Sequence, residues 1–575
     1  MGLIKKFLFY FGENKRSIPK YVVLSIIAGI FELLGVALIY PLILYILSDT
    51  DSNRKFFVIL IATSIVLIFL FKNFIMIYYA YVQTKLVKQF ELEMNLKFMK
   101  YFVFTDYSST ANISLHEKSQ ILNFLIPNTV NNFIFRILNL IVNICVFILL
   151  TGFILLKFPK PSVVAIVFAC LFIIIQYKFF KPVLTKISNR IRDLSLILNK
   201  NSNALLLNLK GIKIASKESF FFKNYESVAE SAYGQSAKSA FINSVPPYIV
   251  EPFIIIMLFV LIAVITFQNF YEVDKLLASY ALIAASMFRL APVVSRIQVN
   301  INGAASAFPY FKELTERAEK LQILSINEHQ KTQAKPFENS IDINNITFEY
   351  ENGKTILNNI NLKINKNEFI GISGLSGVGK TTLVDIISGL YKPTTGNITV
   401  DGNDYDFKLN IGYIPQEYYV TNASIRENVA FGEKNIDDNR VIEVLKMAQL
   451  YDFIINNFPA GIYANPFIDN TGFSQGQKQR LMIARALYSS PDILILDEAT
   501  SSLDLQTEDE ICNVLKDLKQ THTIIAVAHR LSTIKSADRI VFMKNGTIEC
   551  VDTFNNLYNT NGEFKKMVDL SYLNN

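Results

Sequence analysis

The 575-residue chain has few cysteines and few charged residues for its length. Its four cysteines, Cys145, Cys170, Cys512 and Cys550, are scattered singly, which argues against a metal centre or a disulfide-stapled secreted fold. Charged residues make up 18% of the chain and hydrophobic residues 51%, whereas a soluble domain has roughly 25% charged residues. This composition excludes a disordered or fibrous chain and disfavours a wholly soluble protein. The formal net charge of +7 is too small to indicate a nucleic-acid partner.

Long apolar runs occupy the first 300 residues. A membrane-spanning helix needs about 20 apolar residues, and these runs are apolar all round, unlike the amphipathic helices of soluble proteins. We therefore predict an α-helical membrane domain with six spans. The runs are Tyr21–Leu47, Phe56–Val82, Phe133–Leu156, Ser162–Phe180, Tyr248–Phe267 and Leu276–Ile297.

The gaps after the second and fourth runs are long and carry polar residues at helical spacing. We expect the helices to continue beyond the membrane there and to turn near Asn112–Lys118 and Ile214–Phe222, where the turns would dock onto a soluble domain. Basic residues within the first 20 positions favour a cytosolic amino terminus. The expected location is the bacterial cytoplasmic (inner) membrane, with several spans and both termini in the cytosol.

After the last run the chain changes to a soluble α/β pattern. We predict a transmembrane domain over residues 1–312, a linker over 313–339 and a P-loop α/β domain over 340–575. A phosphate-binding G-x-x-x-x-G-K-[ST] loop begins at Gly374. Its glycines let backbone amides approach phosphates, and the helix that follows adds a favourable dipole. The predicted nucleotide-binding residues of this loop are Gly374, Ser376, Gly377, Gly379, Lys380, Thr381 and Thr382.

Lys380 is expected to hold the β- and γ-phosphates, and Thr381 to bind Mg²⁺. Further along, the apolar strand Ile493–Leu496 ends in two carboxylates, Asp497 and Glu498. Asp497 suits the Mg²⁺ shell, and Glu498 suits a general base that polarises the attacking water. The sequence thus predicts ATP and Mg²⁺ as cofactors of an ATPase.

The segment Phe473-Ser474-Gln475-Gly476-Gln477 resembles the signature motif of ATP-binding cassette (ABC) transporters. Other pieces agree with that family in order and spacing: Tyr350 in Phe-Glu-Tyr, Gln416 in Tyr-Ile-Pro-Gln, Asp504 in Ser-Ser-Leu-Asp, and His529 in Ala-His-Arg. Six spans followed by one cassette resemble an ABC exporter half-transporter. Three departures are Gln475 for a common glycine, Ser502 for a common alanine, and Ile468-Asp-Asn-Thr471 before the signature.

The resemblance implies a role for each matching residue. Tyr350 would stack on adenine, and Gln416 would sense Mg²⁺ and couple to the membrane domain. Ser474 and Gly476, with Gln477, would contact ATP held by a second cassette. Asp504 would lie at that dimer interface, and His529 would hold the γ-phosphate. A second copy of the chain is accordingly the expected partner.

The resemblance implies ATP-driven export, and several alternatives stay open. They include a peptide or bacteriocin exporter and, in another class, an ATP-gated channel or regulator. The spans disfavour a soluble cassette ATPase, and an importer is disfavoured because its membrane subunits usually occupy separate chains. The expected amino-terminal tail of 20 residues is too short for a leader-cleaving protease domain.

Charged residues inside spans are costly and therefore indicate function. The candidates are Glu32, Lys72, Arg136, Glu251 and Arg289. We expect Lys72, Arg136 and Glu251 to reach the cytosolic interface, and Glu32 and Arg289 to pair or to line a substrate cavity.

Some strings in the membrane half resemble the bacterial flippase of lipid-linked oligosaccharides. They are Phe31-Glu32 ahead of Pro41, Phe71-Lys72, and Phe288-Arg289-Leu290 ahead of Pro292. The short gap Ser48–Lys55 departs from that family, because it leaves no room for an external helix. The resemblance implies an amphipathic, lipid-linked substrate with an anionic head, moved among membrane lipids, and no nucleic acid.

Overall fold

The computed structural model describes residues 17–47, 54–157, 159–268, 273–321, 323, 337–350, 353–404, 409–416, 418–466, 473–497, 505–527 and 531–573. The chain divides into two compact units. A helical unit comprises Met1–Thr105 and Ile113–Asn327, and a cassette unit comprises Glu328–Asn575 together with the short segment Asp106–Asn112. The predicted boundaries at residues 312 and 340 stay a prediction.

Long α-helices form the first part of the chain because its apolar runs leave no polar face and few turn residues. In chain order they are α1 (Ser17–Ala37), α2 (Ile39–Leu47), α3 (Arg54–Phe104), α4 (Tyr107–Ala111), α5 (Leu115–Gln120), α6 (Ile126–Asn128), α7 (Phe135–Lys157), α8 (Pro159–Leu207), α9 (Leu209–Ile214), α10 (Glu218–Ser244), α11 (Pro246–Gln268) and α12 (Val273–Lys320).

Within the described residues, five helical stretches are long and apolar enough to cross a membrane. They are Pro19–Ile46, Lys55–Phe104, Leu115–Lys157, Glu218–Ala263 and Leu277–Lys320, and they correspond to five of the six predicted runs. The remaining run, Ser162–Phe180, lies within α8, where most of its side chains fall outside the described residues. The count of six spans therefore stays a prediction.

Two π-helical turns, Ile121–Leu125 and Thr129–Ile134, flank α6 at the start of the third candidate span. Pro127 lies between them and has no N–H to donate to the preceding turn. A π-turn inserts one extra residue, which re-aims the side chains that follow it. The helix face that α7 presents to its neighbours is therefore set here.

The cassette unit contains two sheets. One has the strand order β2-β1-β4-β5 and is antiparallel, and the other has the order β10-β9-β3-β8-β7-β6. The strands are β1 (Ser340–Glu349), β2 (Thr355–Asn365), β3 (Phe369–Gly374), β4 (Thr395–Val400), β5 (Asn403–Asp404), β6 (Ile411–Ile414), β7 (Ile493–Asp497), β8 (Thr523–Val527), β9 (Arg539–Lys544) and β10 (Thr547–Asp552).

The central strands β3, β7 and β8 are buried along their whole length, as apolar strands covered by helices on both faces should be. The helices of this unit after residue 340 are α13 (Lys380–Ile387), α14 (Ile425–Ala430), α15 (Asp438–Met447), α16 (Tyr451–Asn457), α17 (Gln475–Tyr488), α18 (Leu505–Leu518), α19 (Leu531–Lys535), α20 (Phe554–Thr560) and α21 (Gly562–Leu573).

Candidate functional site

The parallel strands of the larger sheet bring several predicted site residues to one edge. β3, β8, β7 and β6 run parallel to one another, so their carboxyl ends meet at that edge, where α/β sheets bind ligands. Gly374 ends β3, Asp497 ends β7, and Gln416 follows β6 by two residues. Residues from three distant parts of the sequence therefore meet at one edge.

The phosphate loop between β3 and α13 requires glycine at its two ends. Gly374 has a φ of +148°, and a Cβ there would lie 2.3 Å from the carbonyl oxygen of Met543. Gly379 has a φ of +101°, and its Cβ would lie 2.6 Å from a methyl group of Leu357. Side chains are thus excluded at both positions. Gly379 is the N-cap of α13 and offers no side-chain cap, which fits a phosphate at the helix N-terminus.

Lys380 lies buried in the curve of this loop. Its amine donates to the carbonyl oxygens of Gly374 at 2.9 Å and Leu375 at 3.0 Å. Ser376, Gly377 and Thr381 are exposed along the same loop, and Thr382 is buried beneath it. The ammonium group is therefore held where a phosphate chain lying along the backbone amides would meet it.

Tyr350, the predicted adenine-stacking residue, is joined to the loop and to a second tyrosine. Its hydroxyl lies 3.3 Å from that of Thr382. Its ring meets Tyr391 edge-on, with centroids 5.8 Å apart, and Tyr391 in turn packs against Phe348 at 5.3 Å. Such pairs stabilise a ring position by about 0.5–1.5 kcal/mol each. Tyr391 was not predicted, because no sequence motif marks it.

Asp497 is buried at the end of β7 and accepts a hydrogen bond of 3.0 Å from the hydroxyl of Tyr413. A further carboxylate, Asp385 of α13, is close enough to interact with it. Burial, followed by repulsion from Asp497, raises the pKa of Asp385 to about 6. Neither Tyr413 nor Asp385 was predicted. Two acids at one edge indicate a place where a cation would be stabilising.

The donor set suits Mg²⁺, which prefers hard oxygen ligands and usually relies on one or two carboxylates plus phosphates. The Asp497 carboxylate, the Thr381 hydroxyl and the Gln416 amide oxygen are all of this kind. Among the residues that the structure describes, no group of three or more His, Cys, Asp or Glu forms a self-sufficient metal cage. The donors at this edge thus fit a metal that is shared with phosphate oxygens.

The signature segment forms the N-terminus of α17. Ser474 is the N-cap, its hydroxyl accepts from the backbone N–H of Gln477, and the Gln477 side chain accepts from the N–H of Ser474. This capping box holds the exposed Ser474 hydroxyl at the helix end, while Gly476 is buried. The exposed Gln475 replaces the family's glycine at the first helical position, which a glutamine readily fills.

Three predicted residues, Glu498, Asp504 and His529, lie outside the described residues. Two of them follow strands of the larger sheet in the sequence: Glu498 comes directly after the end of β7, and His529 comes two residues after β8. Their catalytic and interface roles stay predictions.

The segment Asp106–Asn112 belongs to the cassette unit, although it comes between helices of the other unit. The Tyr107 ring of α4 meets Tyr391 edge-on, with centroids 5.8 Å apart. The predicted docking turn, Asn112–Lys118, was therefore placed too late in the sequence. Ser114 caps α5, and Glu117 of α5 pairs with Arg317 at 2.8 Å, so the chain has already returned to the helical unit there.

In the helical unit, Glu32 lies between two cations. It pairs with Lys72, and its carboxylate also lies 3.5 Å from a guanidinium nitrogen of Arg289. Side-chain exposures are 14% for Glu32, 11% for Lys72 and 37% for Arg289. Both cations also face the ring of Phe69, at 5.7 Å and 4.5 Å. The expected pairing of Glu32 with Arg289 is observed. Lys72 contacts the same carboxylate, and its expected position at the cytosolic interface stays a prediction.

Comparison with known proteins agrees with this architecture. The ABC transporter family profile matches residues 357–501. The chain is 34% identical over 330 residues to the ATP-dependent lipid A-core flippase of Syntrophus aciditrophicus (strain SB), a match covering 54% of this chain and 53% of that protein. It is 41% identical over 238 residues to a leukotoxin translocation ATP-binding protein of a Pasteurella haemolytica-like species (strain 5943B). That match covers 40% of this chain and 34% of that protein. Each match thus covers about half or less of the relative's length.

The fold is similar over nearly the whole chain to a bacterial Atm1-family ABC exporter solved with ATP bound. The TM-score is 0.79 with 19% sequence identity, and the match covers 96% of this chain and 98% of that one. The ABC resemblance predicted from the motifs is thus confirmed. The chain carries an ABC-type ATPase domain joined to a helical unit, in the fold of an ABC exporter.

Proposed function

We propose that the chain is an ATP-driven exporter of the cytoplasmic membrane that moves an amphipathic substrate outward. The observation that carries this function is the meeting of the phosphate loop, Asp497 and Gln416 at one sheet edge, within an exporter fold. The candidate spans support a multi-pass protein, and the proposed orientation has both termini in the cytosol.

At the nucleotide site, ATP with Mg²⁺ would supply a γ-phosphoryl group that is transferred to water as ADP leaves. The loop amides and Lys380 would hold the phosphates, Tyr350 would support the adenine, and Asp497 with Thr381 and Gln416 would hold the metal. Glu498 would accept a proton from the attacking water, and His529 would orient the γ-phosphate. Closure and reopening of the cassettes would switch the access of the spans.

The working unit is proposed to be a homodimer. Ser474 is exposed at the N-terminus of α17, where it is available to a nucleotide on a second cassette. The start of α10 also exposes several large apolar residues that need a covering surface, namely Phe220, Phe221 and Phe222, with Ile214 just before them. A second copy of the chain would cover this tip, which includes the second predicted docking segment.

The finer substrate proposal is a lipid-linked molecule with an anionic head, such as a lipid-linked oligosaccharide. It is supported by the net positive charge of the Glu32, Lys72 and Arg289 cluster and by the partial exposure of Arg289. A guanidinium is well suited to a diphosphate, which it pairs bidentately.

ATPase assays on the full chain in lipid vesicles test the function. We expect hydrolysis that requires Mg²⁺, is stimulated by the exported molecule, and is lost together with ATP affinity in Lys380→Ala. Stimulation is then compared between polyprenyl diphosphate glycans and amphipathic peptides. If only peptides stimulate ATP hydrolysis, the exported molecule is a peptide and the proposal of a lipid-linked substrate is wrong. A Lys380→Ala variant with unchanged ATP affinity would contradict the nucleotide site itself.

A further inference from the structure

A second polar feature of the helical unit shares no residue with the Glu32 cluster. It is a cavity of about 390 Å³ among α3, α7, α11 and α12, which is within the roughly 300–1,000 Å³ of small-molecule pockets. Met76 and Tyr79 of α3 contribute to its wall. Its polar lining residues are Arg136, Asn139, Asn143, Ser295, Arg296 and Asn300.

The cavity carries two positive charges without a compensating carboxylate among the described residues that line it. Within the described parts of the chain, neither Arg136 nor Arg296 forms an ion pair with an acid, whereas Arg289 pairs with Glu32 and Arg317 with Glu313. The Nη1 of Arg136 donates to the Asn300 side-chain oxygen over a long 3.4 Å. A guanidinium has five N–H donors, so this one contact satisfies little of its capacity.

The spacing of these residues in the sequence places them on one face of α7 and one face of α12, the two helices that contribute most of the cavity lining. Arg136, Asn139 and Asn143 are spaced by three and four residues and share one face of α7, while Arg296 and Asn300 share one face of α12. Both helices belong to candidate spans, and charged side chains that face an internal cavity of such helices are typical of a ligand pathway. The π-turn Thr129–Ile134 ends two residues before Arg136 and sets this face.

Close packing holds Arg136 in place. A Cβ at Gly303 of α12 would lie 3.0 Å from its Nε and 3.1 Å from its Cδ. The arginine stem therefore lies against the glycine, and its guanidinium is directed along α12 toward Asn300. A preorganised guanidinium loses less freedom when it binds an anion.

We infer that this cavity binds a phosphate ester that carries hydroxyl groups. The two guanidiniums match phosphate oxygens. The Asn143 amide nitrogen donates to the carbonyl oxygen of Asn139 at 2.7 Å, which directs its side-chain oxygen to accept from a hydroxyl. The inference rests on the proposed export function, because the bound ester would be the cargo. The ester is either the head group of a lipid or a free phosphate.

Direct binding to the full-length protein in a neutral detergent tests the inference. The chain has no tryptophan, so in Met76→Trp all tryptophan emission reports from the cavity wall. The probes are dioctanoyl phosphatidylglycerol, which is anionic and hydroxylated, dioctanoyl phosphatidylcholine, which has no net charge, and glycerol 1-phosphate. We expect phosphatidylglycerol to change the emission with saturation, at least about tenfold more tightly than phosphatidylcholine.

Charge variants in the same background locate the binding. Arg136→Gln and Arg296→Gln should each weaken phosphatidylglycerol binding about tenfold or more. Arg136→Lys, which keeps the charge, should weaken it less. Arg190→Gln, which removes an exposed arginine of α8 outside the cavity, should not change it. Gly303→Ala, which presses on the Arg136 stem, should weaken binding even if Arg136→Gln does not fold.

Each outcome decides the inference. Glycerol 1-phosphate binding as tightly as phosphatidylglycerol identifies a free phosphate ester, and much weaker binding identifies a lipid head. Equal affinity for the two lipids, or unchanged affinity in both glutamine variants, overturns the cavity assignment. ATP hydrolysis by the same preparation separates the two proposals. Binding without hydrolysis contradicts export alone, and hydrolysis without binding contradicts this site alone.

Discussion

The two units of the chain use their residues in different ways. In the cassette, backbone geometry positions the nucleotide site: glycines at positive φ shape the phosphate loop, and strand ends deliver Asp497 and Gln416 to one edge. In the helical unit, side chains from distant helices carry the polar chemistry in an apolar surrounding, as Glu32, Lys72 and Arg289 do. Local sequence therefore determines the first site, whereas tertiary packing determines the second.

The largest expected effect lies in the cassette and tests whether its strand-end chemistry is catalytic. Glu498→Gln should keep ATP affinity but lower turnover by about 10²–10⁴-fold, because the amide cannot accept the proton of the attacking water. ATPase rate and ATP affinity, measured on the same vesicles, check this. Lys380→Ala provides the contrast, since it should reduce affinity first. Near-normal hydrolysis by Glu498→Gln would assign the base to another residue.

The second prediction tests the helical unit, where we expect a large effect on stability rather than on affinity. Glu32→Gln leaves Lys72 and Arg289 facing each other without an acid. Removing one partner of a buried ion pair costs about 3–5 kcal/mol, and the partial exposure of Arg289 lowers this to roughly 2–3 kcal/mol here. The apparent unfolding temperature in detergent measures it.

A matched double variant sharpens this test. Adding Lys72→Met to Glu32→Gln removes the most buried cation of the cluster and should restore most of the lost stability. Adding Arg289→Met instead leaves Lys72 buried and should restore less. If Glu32→Gln alone is as stable as the unaltered chain, the cluster is not a structural ion pair.

These contrasts explain what the sequence could predict. The phosphate loop, the strand that ends at Asp497 and the signature are contiguous in sequence, so the sequence alone indicated their residues as candidates. Tyr391, Tyr413 and Asp385 were missed because each acts through contacts with residues far away in the chain. The pairing of Lys72 with Glu32 was missed for the same reason. One signal was available: Ser114-x-x-Glu117 is typical of a helix N-terminus, and it would have moved the docking turn before Asn112.

The third prediction concerns the aromatic contacts that connect Tyr107 to Tyr350 inside the cassette unit. Tyr391 touches both rings, so Tyr391→Ala removes the lateral support of Tyr350, the proposed adenine-stacking residue. We expect ATP affinity to fall by about three- to tenfold, at roughly 1 kcal/mol for such ring contacts. Tyr391→Phe keeps the ring and should bind ATP normally. An equal loss of ATP affinity in Tyr391→Ala and Tyr391→Phe would mean that the Tyr391 hydroxyl, rather than its ring, supports nucleotide binding.

The smallest expected effect concerns Asp385 and Asp497, the acid pair at the proposed Mg²⁺ site. Because burial and Asp497 raise the pKa of Asp385 to about 6, its protonated form is favoured in the folded cassette. The protonated Asp385 carboxyl therefore contributes its full stabilisation of the folded cassette below about pH 4, the usual pKa of a free Asp. This contribution is lost as the pH rises through 6. Asp385→Asn should accordingly be more stable than the unaltered chain at pH 7.5, by about 1 kcal/mol after allowance for solvent exposure.

The difference between the two proteins should shrink at pH 5, where Asp385 is mostly protonated, and thermal unfolding without nucleotide at both pH values measures it. Addition of Mg²⁺ with ATP at pH 7.5 should also reduce the advantage of Asp385→Asn, because a cation beside Asp497 offsets the charge of Asp385. Asp517→Asn, which alters an exposed acid at the end of α18, is the control and should show neither change. An advantage of Asp385→Asn that is the same at pH 5 and pH 7.5 would mean that packing, rather than the paired charges, sets the stability of this edge.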